Sequence, residues 1–297
     1  MKKVLYPMLA VTAFILVQAF TGIVLVVVAI IKNHELLKQF SQTGDPNALM
    51  NSLMEGNAVA WALILSGILT VGIVTLLKMI NWKTVLNVRM INWKVSALAI
   101  IGALLSIFFM DILSDLFDLP DEMEDLFVSM STTVVGALSI GVIGPIAEEF
   151  IFRESILGYM LRNGVNKWVA ITASALAFGI IHMNPAQIPF AMMIGFIFGI
   201  IYYKTGNIVI TSILHIVNNS VAVAGMILMG EETKDTSLVE WLGGQENSIF
   251  LFLPPAGALA FVVLRSFWNL YKTAHWAVPE QQTNDIHLNT QDNETIL

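Results

Sequence analysis

The chain has 297 residues, of which 56% are hydrophobic and 12% are charged, and its formal net charge is −7. Soluble domains carry about 25% charged residues, so this composition indicates a protein whose surroundings are largely lipid. The sequence contains no cysteine, which excludes disulfides, thiolate metal sites, a cysteine nucleophile and cysteine lipidation. It also lacks a basic patch with interleaved aromatic residues, so nucleic acid is not an expected partner.

Long apolar runs predict an all-α, polytopic membrane helix bundle with about eight transmembrane helices, because a helix needs about 20 apolar residues to cross the hydrocarbon core. In chain order, the predicted spans are 4–31, 58–80, 95–114, 128–147 continuing to about 161, 167–182, 187–203, 207–229 and 247–271. The first run is too long for the apolar region of a cleaved signal peptide, so we interpret it as a retained helix, with cleavage as the alternative.

The predicted spans divide the chain into four parts. These are N-terminal transmembrane helices at 1–120, a core at 121–230, a last transmembrane helix at 231–275 and a polar tail at 276–297. The tail is rich in Gln, Asn and Thr, a composition that predicts disorder.

The basic residues predict the orientation, because cytoplasmic loops of membrane proteins collect Lys and Arg. With the N-terminus inside and eight crossings, the inner side holds Lys2, Lys3, Lys78, Lys83, Arg89, Lys94, Arg162, Lys167, Lys204, Arg265 and Lys272, and the outer side holds Lys32, Lys38 and Lys234. Acidic residues cluster in outer loops at 115–125 and 231–246, which we interpret as solvated. We therefore expect a multi-pass protein of the cell membrane, in contact with the lipid bilayer, with both termini cytoplasmic.

Glu148, Glu149 and Arg153 lie within one of the most apolar stretches of the chain. Charged groups at bilayer depth are costly, so such a cluster indicates a functional site. Glu149 and Arg153 are four residues apart, which places both side chains on one face of a helix and predicts an ion pair. Glu148 is rotated by about 100° from Glu149. It is left to face another group, and a free carboxylate in an apolar bundle suits proton transfer.

Later apolar spans carry further polar residues: His182 ends the fifth, and His215 and Asn219 share a face of the seventh. Counted at 1.5 Å per residue, Glu148, His182 and His215 lie roughly 21, 22 and 16 Å above the predicted cytoplasmic ends of their helices. Matched depths predict one site built from three helices. The prediction requires helix to continue past Pro145, because proline inside a helix kinks it.

Three motifs occur in order: Glu-Glu-x-x-x-Arg at 148–153, Phe-x-x-x-His at 178–182 and His-x-x-x-Asn at 215–219. They resemble those of the CPBP family, the CAAX proteases and bacteriocin-processing enzymes also called Abi or Rce1-like intramembrane proteases. The resemblance covers about 125–225 and marks 121–230 as the catalytic core. Glu154 departs from the pattern, because a small glycine is common at that position.

The resemblance implies hydrolysis of peptide bonds in membrane-associated peptides or proteins. It assigns Glu148 as the base that activates water, His182 as a partner of that water, His215 and Asn219 as stabilisers of the oxyanion, and Glu149 with Arg153 as a brace. An activated water, a base and donors aimed at developing charge suffice for amide hydrolysis.

The metal requirement stays open at this point. Glu148, His182 and His215 offer a three-ligand zinc site with water in fourth place, and Glu149 would then act as the base. Metal-free catalysis by Glu148 is an equal alternative. The compact chain is typical of prokaryotes, which favours a bacteriocin leader, a peptide pheromone or a membrane regulator as substrate.

Other classes of function also stay open. One is a proton-coupled transporter that uses the same polar residues as a relay, and another is a non-catalytic membrane scaffold or bacteriocin-immunity protein. A serine protease would need a Gly-x-Ser nucleophile, and Ser155 and Ser174 lack that setting.

Overall fold

The computed structural model describes residues 2–32, 38, 41–42, 57–88, 91–114, 116–117, 119–229, 249–274 and 276. Within these ranges the chain is helical and forms no strand, which confirms the predicted all-α class. The predicted polar tail beyond 276 and the acidic loop at 231–246 lie outside the described residues, as do Arg89, Asp115 and Asp118.

The helices are numbered here in chain order. They are α1 (Lys2–Lys32), α2 (Ala58–Leu76), α3 (Trp82–Val85), α4 (Trp93–Ser114), α5 (Glu124–Ser131), α6 (Val134–Arg162), α7 (Lys167–Ile180), α8 (Ile188–Thr205), α9 (Val209–Met229) and α10 (Ile249–Leu270). In the described part of the chain, seven helices are long and apolar enough to cross a membrane: α1, α2, α4, α6, α8, α9 and α10.

Helix α7 differs from the span predicted at 167–182. It has 14 residues and ends at Ile180. At 1.5 Å per residue its length is about 21 Å, less than the hydrocarbon core of about 30 Å. The chain leaves the helix because Met183 adopts a left-handed backbone conformation, φ +49°, ahead of Pro185. Seven helices long enough to span a membrane and one short apolar helix therefore stand where the sequence predicts about eight transmembrane helices.

Helix α6 runs without a break from Val134 to Arg162, although Pro145 lies inside it. Two segments, Ser139–Ile143 and Glu149–Gly158, have the wider π-helical geometry. Pro145 is the second residue of the α-helical turn Gly144–Glu148 that lies between them. Such local π adjustments let membrane helices accommodate proline. The continuity that the depth argument requires is therefore present.

The bundle has two principal apolar clusters, and α8 contributes to both. The first is formed mainly by α1, α2, α6 and α7 and includes Tyr202 of α8. The second is formed by α4, α9 and α10 with Phe198 of α8. Helix α10 packs along α4, so the last span lies against the N-terminal part of the chain. Large apolar side chains such as Leu76 and Leu228, each 83% exposed, cover the outer faces, as expected where helices meet lipid.

Candidate active site

Glu148 and Glu149 lie at the point where α6 changes from α-helical to π-helical geometry. Single π-helical turns are rare and occur often at functional sites. The side chain of Glu149 is fully buried, whereas that of Glu148 keeps 23% of its surface exposed. The two adjacent carboxylates therefore occupy different environments.

The Glu149 carboxylate binds two partners. Its Oε2 lies 3.3 Å from Arg153 Nε, the pair that the four-residue spacing predicts. Its Oε1 lies 3.1 Å from His215 Nδ1 on α9, a contact that spacing alone does not reveal. An ionised carboxylate only accepts hydrogen bonds, so His215 carries a proton on Nδ1. Glu149 thus fixes the orientation of an imidazole as well as neutralising an arginine.

The opposite edge of the same imidazole faces Glu148. His215 Nε2 lies 3.5 Å from Glu148 Oε2, and the His215 side chain is only 5% exposed. One imidazole is therefore held between both carboxylates of the motif. The predicted convergence of α6 and α9 is present at atomic distances.

Arg153 is fully buried beneath aromatic rings. Its guanidinium carbon lies 4.5 Å from the centre of the Phe178 ring and 5.6 Å from that of Phe198. Across the described ranges, its guanidinium nitrogens have no hydrogen-bond partner. Ion pairing with Glu149 and cation–π attraction to the two rings therefore stabilise the charge.

Phe178 connects the two histidines. Its ring packs edge-on against His182 and His215, with centroid distances of 5.0 and 5.6 Å. Its carbonyl oxygen lies 2.7 Å from His182 Nδ1. A carbonyl only accepts, so His182 is protonated on Nδ1, and its Nε2 is an acceptor when the ring is neutral. The phenylalanine of the second motif is therefore a support for both rings.

Asn219 shares a face of α9 with His215, as predicted. Its Nδ2 donates to Ile140 O in α6 at 3.1 Å, and its Oδ1 accepts from Asn218 Nδ2 at 3.0 Å. The asparagine side chain therefore bonds to the backbone of the helix that carries the glutamates.

The segment after His182 is tied to the acidic stretch at 115–125. Asn184 is fully buried, and its Nδ2 donates to Asp121 Oδ1 at 2.7 Å. Asp121 itself is exposed, so it is solvated as interpreted and also accepts a hydrogen bond from this buried amide. Charge and exposure could not reveal a partner that lies 63 residues further along the chain.

Glu154, the departure from the family pattern, is fully buried. It accepts hydrogen bonds from Arg162 Nη1 at 2.7 Å, Tyr202 Oη at 2.5 Å and the backbone N–H of Asn81 at 2.9 Å. The extra carboxylate is thus satisfied by three donors away from the catalytic candidates.

The serines considered as nucleophiles are engaged elsewhere. Ser155 Oγ donates to Phe150 O, and Ser174 Oγ donates to Phe152 O, each at 2.8 Å. Both hydroxyls therefore donate to backbone carbonyl oxygens, as polar side chains commonly do in membrane helices.

The three residues considered for zinc are not arranged as a metal site. Among the described residues, no group of three or more His, Cys, Asp or Glu side chains is placed to hold a metal ion. Glu148 Oε2 and His215 Nε2 lie 3.5 Å apart, and His182 donates through Nδ1 to Phe178 O, which leaves its Nε2 available. The three side chains are therefore not gathered around a metal position in this structure, although both imidazoles keep Nε2, the nitrogen that would bind a metal ion.

Comparisons with known proteins agree with the motifs. Residues 130–221 match the family described as type II CAAX prenyl endopeptidase Rce1-like. The "Membrane-embedded CAAX protease MroQ" of Staphylococcus aureus (strain USA300) is 27% identical over 137 residues, which are 44% of this chain and 53% of that protein. The "Putative membrane peptidase YdiL" of Bacillus subtilis (strain 168) is 32% identical over 82 residues, 28% of this chain and 33% of that protein.

The chain thus spans about half of the first relative and a third of the second. No solved structure matches it significantly. All three motifs, from Glu148 to Asn219, fall inside the matched segment. Residues 130–221 of this chain are therefore similar in sequence to the Rce1-like family of CAAX proteases.

Proposed function

We propose that this protein is an intramembrane endopeptidase that hydrolyses peptide bonds with a water molecule activated by Glu148. The observation that carries the proposal is that the two adjacent carboxylates differ in burial and in contacts. Glu149 is buried and bound to Arg153 and His215, while Glu148 is partly accessible and faces His215 Nε2. A general base must reach both water and substrate, and Glu148 has that access.

Charge balance supports this assignment. Glu148 and Glu149 bring two negative charges into an apolar bundle, and Arg153 brings one positive charge. A doubly protonated His215 makes the cluster neutral overall, which lowers the cost of burying it. In that form the Nδ1–H of His215 donates to Glu149, and its Nε2–H points to the Glu148 side. The ring is then a donor held ready for an oxyanion.

The reaction follows from these positions. Glu148 removes a proton from water as the water oxygen attacks the carbonyl carbon, and the carbonyl oxygen becomes an oxyanion that accepts from His215 Nε2–H. The His182 Nε2, left as an acceptor by the bond of Nδ1 to Phe178 O, orients the water. The C–N bond then breaks, and Glu148 returns its proton to the departing amine nitrogen. The products are a carboxyl group and an amine.

The substrate class we propose is a peptide segment that enters the site from the membrane. The names of the relatives refer to a CAAX protease and a membrane peptidase. Bacteriocin leaders, peptide pheromones and membrane regulators are the substrates to test first, and prenylated CAAX peptides are the comparison set.

The decisive experiment uses the purified full-length protein in lipid nanodiscs with quenched fluorogenic peptides of these classes. Glu148→Gln keeps the shape of the side chain and removes the base, so cleavage should fall by at least about a hundredfold, as is typical of a lost general base. Glu122→Gln, an exposed glutamate outside the site, is the matched control and should cleave normally. Undiminished cleavage by Glu148→Gln would refute the assignment.

The same assay decides the metal question. No step of the proposed reaction needs a metal ion, so cleavage should continue in the presence of the zinc chelator 1,10-phenanthroline. Loss of cleavage with the chelator and recovery with Zn²⁺ would show instead that the site rearranges around zinc, with Glu148, His182 and His215 as its ligands.

A further inference from the structure

Pro145 removes a backbone donor in the middle of α6. An N–H at this position would bond to Gly141 O in α-helical geometry or to Ile140 O in π-helical geometry, and proline has none. The N–H of Gly144, which could otherwise reach Ile140 O, bonds to Ser139 O instead. The helical pattern therefore leaves the Ile140 carbonyl without its donor. In hydrocarbon such a group needs another partner.

Helix α9 supplies that partner. Asn219 Nδ2 donates to Ile140 O at 3.1 Å, and Ser220 Oγ donates to Gly141 O at 3.3 Å. Two consecutive side chains of α9 thus meet the two consecutive carbonyls that Pro145 affects. The helices approach closely here, because a Cβ atom on Gly141 would lie only 3.2 Å from Ser220 Oγ.

The same pair of helices also holds the catalytic candidates. One turn before Asn219, His215 contacts Glu148 at 3.5 Å and Glu149 at 3.1 Å. Helices α6 and α9 are therefore joined at two successive levels.

We propose that Asn219 is a positioning residue: its amide replaces the donor that Pro145 lacks and thereby sets the separation of Glu148 and His215. This inference rests on the proposed function and differs from the oxyanion role that the family resemblance implies. It makes Asn219 and Pro145 a coupled pair, although their side chains belong to different helices.

The test is a double-mutant cycle in the full-length protein, with Asn219→Ala, Pro145→Ala and both together. Alanine at 145 restores the missing N–H, so it should compensate for the lost amide. We expect Asn219→Ala alone to lower kcat by about three- to tenfold, the range of one interhelical hydrogen bond, with KM unchanged. In the Pro145→Ala background the same substitution should cost less than about twofold. An equal loss in both backgrounds would overturn the proposal and favour the oxyanion role.

The pH–rate profile separates positioning from simple support of the fold. A change in the Glu148–His215 separation should shift the profile in Asn219→Ala, and Pro145→Ala should restore it. A lower rate with an unshifted profile would overturn the positioning role.

The control is Ser174→Ala, which removes a hydroxyl bonded to Phe152 O elsewhere on α6. Its cost should be the same with proline or alanine at 145. Thermal unfolding of all the variants measures the Asn219–Pro145 coupling without any substrate. If the wild type cleaves no peptide, the proposed function fails. The melting temperatures still test the contact between Asn219 and the backbone of α6: coupled effects of the two substitutions support it, and additive effects contradict it.

Discussion

Glu148 and Glu149 are neighbours in the sequence and both contact His215, but only Glu149 is fully buried and also paired with Arg153. Helical spacing correctly pairs Glu149 with Arg153, because that contact depends on one helix only. The bond between Glu149 and His215 joins residues 66 positions apart. It depends on the register between α6 and α9, which no local pattern encodes. The sequence could therefore predict the ion pair within one helix but not the contact between two helices.

Replacing Glu149 with Gln should destabilise the protein more than replacing Glu148. Glu149→Gln leaves Arg153 buried without a carboxylate, and breaking a buried ion pair typically costs about 3–5 kcal/mol. Glu148→Gln affects a partly exposed group and should change thermal unfolding little. Melting temperatures in detergent check the difference. Equal melting temperatures for the two variants would show that Glu149 is not the structural partner of Arg153.

At the scale of helices, a second buried carboxylate, that of Glu154, joins the end of α6 to its neighbours by hydrogen bonds. Glu154 joins α6 to Tyr202 of α8 and to the segment between α2 and α3 through Asn81. Arg162, one of the residues assigned to the cytoplasmic side, donates to Glu154 and also to Met79 O. The sequence showed only a departure from the usual glycine at 154, because the compensating residues are scattered through the chain.

Removing the Tyr202 hydroxyl should weaken this fastening. Tyr202→Phe deletes one donor to a buried carboxylate, and a hydrogen bond to a charged group is worth about 1.5–3 kcal/mol. The neighbouring Tyr203→Phe is the matched control, since its ring stacks on Trp268 and Trp276 and phenylalanine keeps that stacking. Chemical unfolding should show a loss for the first variant only. Equal losses would contradict a specific role for the Tyr202 hydroxyl.

The close contact of α7 and α8 should also control the position of His182. A Cβ atom on Gly179 would lie 2.9 Å from Ile188 O and 3.0 Å from Met192 N, and backbone atoms cannot yield as a flexible side chain can. Gly179→Ala should therefore push the last turn of α7 away from α8 and lower cleavage, with about 1–3 kcal/mol lost in stability.

Gly72→Ala is the matched glycine control, because nothing lies within 4 Å of a Cβ atom at Gly72 on α2. It should leave both cleavage and stability intact. A Gly179→Ala variant that behaves like Gly72→Ala would show that α7 has room to move without displacing His182.

At the scale of the whole molecule, hydropathy predicted most of the spans to within a few residues. Helices α4 and α9, for example, end at Ser114 and Met229, where the predictions placed them. Long apolar runs define such spans because a helix needs about 20 apolar residues to cross the hydrocarbon core. The end of α7 is different, since it depends on the backbone conformation of Met183. Hydropathy carries no information about that conformation.

The orientation of the bundle is a prediction that single cysteines can test, because the chain has none of its own. Lys83 and Glu122 are both exposed and fall on opposite sides of the predicted topology. A membrane-impermeant maleimide added to intact cells should label Glu122→Cys and spare Lys83→Cys, and inverted vesicles should give the reverse. Reversed labelling would mean that the termini face outward.

The short helix α7 has a consequence for the surrounding lipid. Its length of about 21 Å falls short of a typical bilayer core by about 9 Å, and a bilayer relieves such hydrophobic mismatch by thinning locally. His182 lies just past the end of this helix, so a thinned leaflet would bring the headgroup region and its water towards the imidazole. The length of the lipid acyl chains should then change the rate of the proposed cleavage. We expect faster cleavage in nanodiscs of short-chain phosphatidylcholine than in those of long-chain phosphatidylcholine, and a rate independent of chain length would argue against a thinned leaflet.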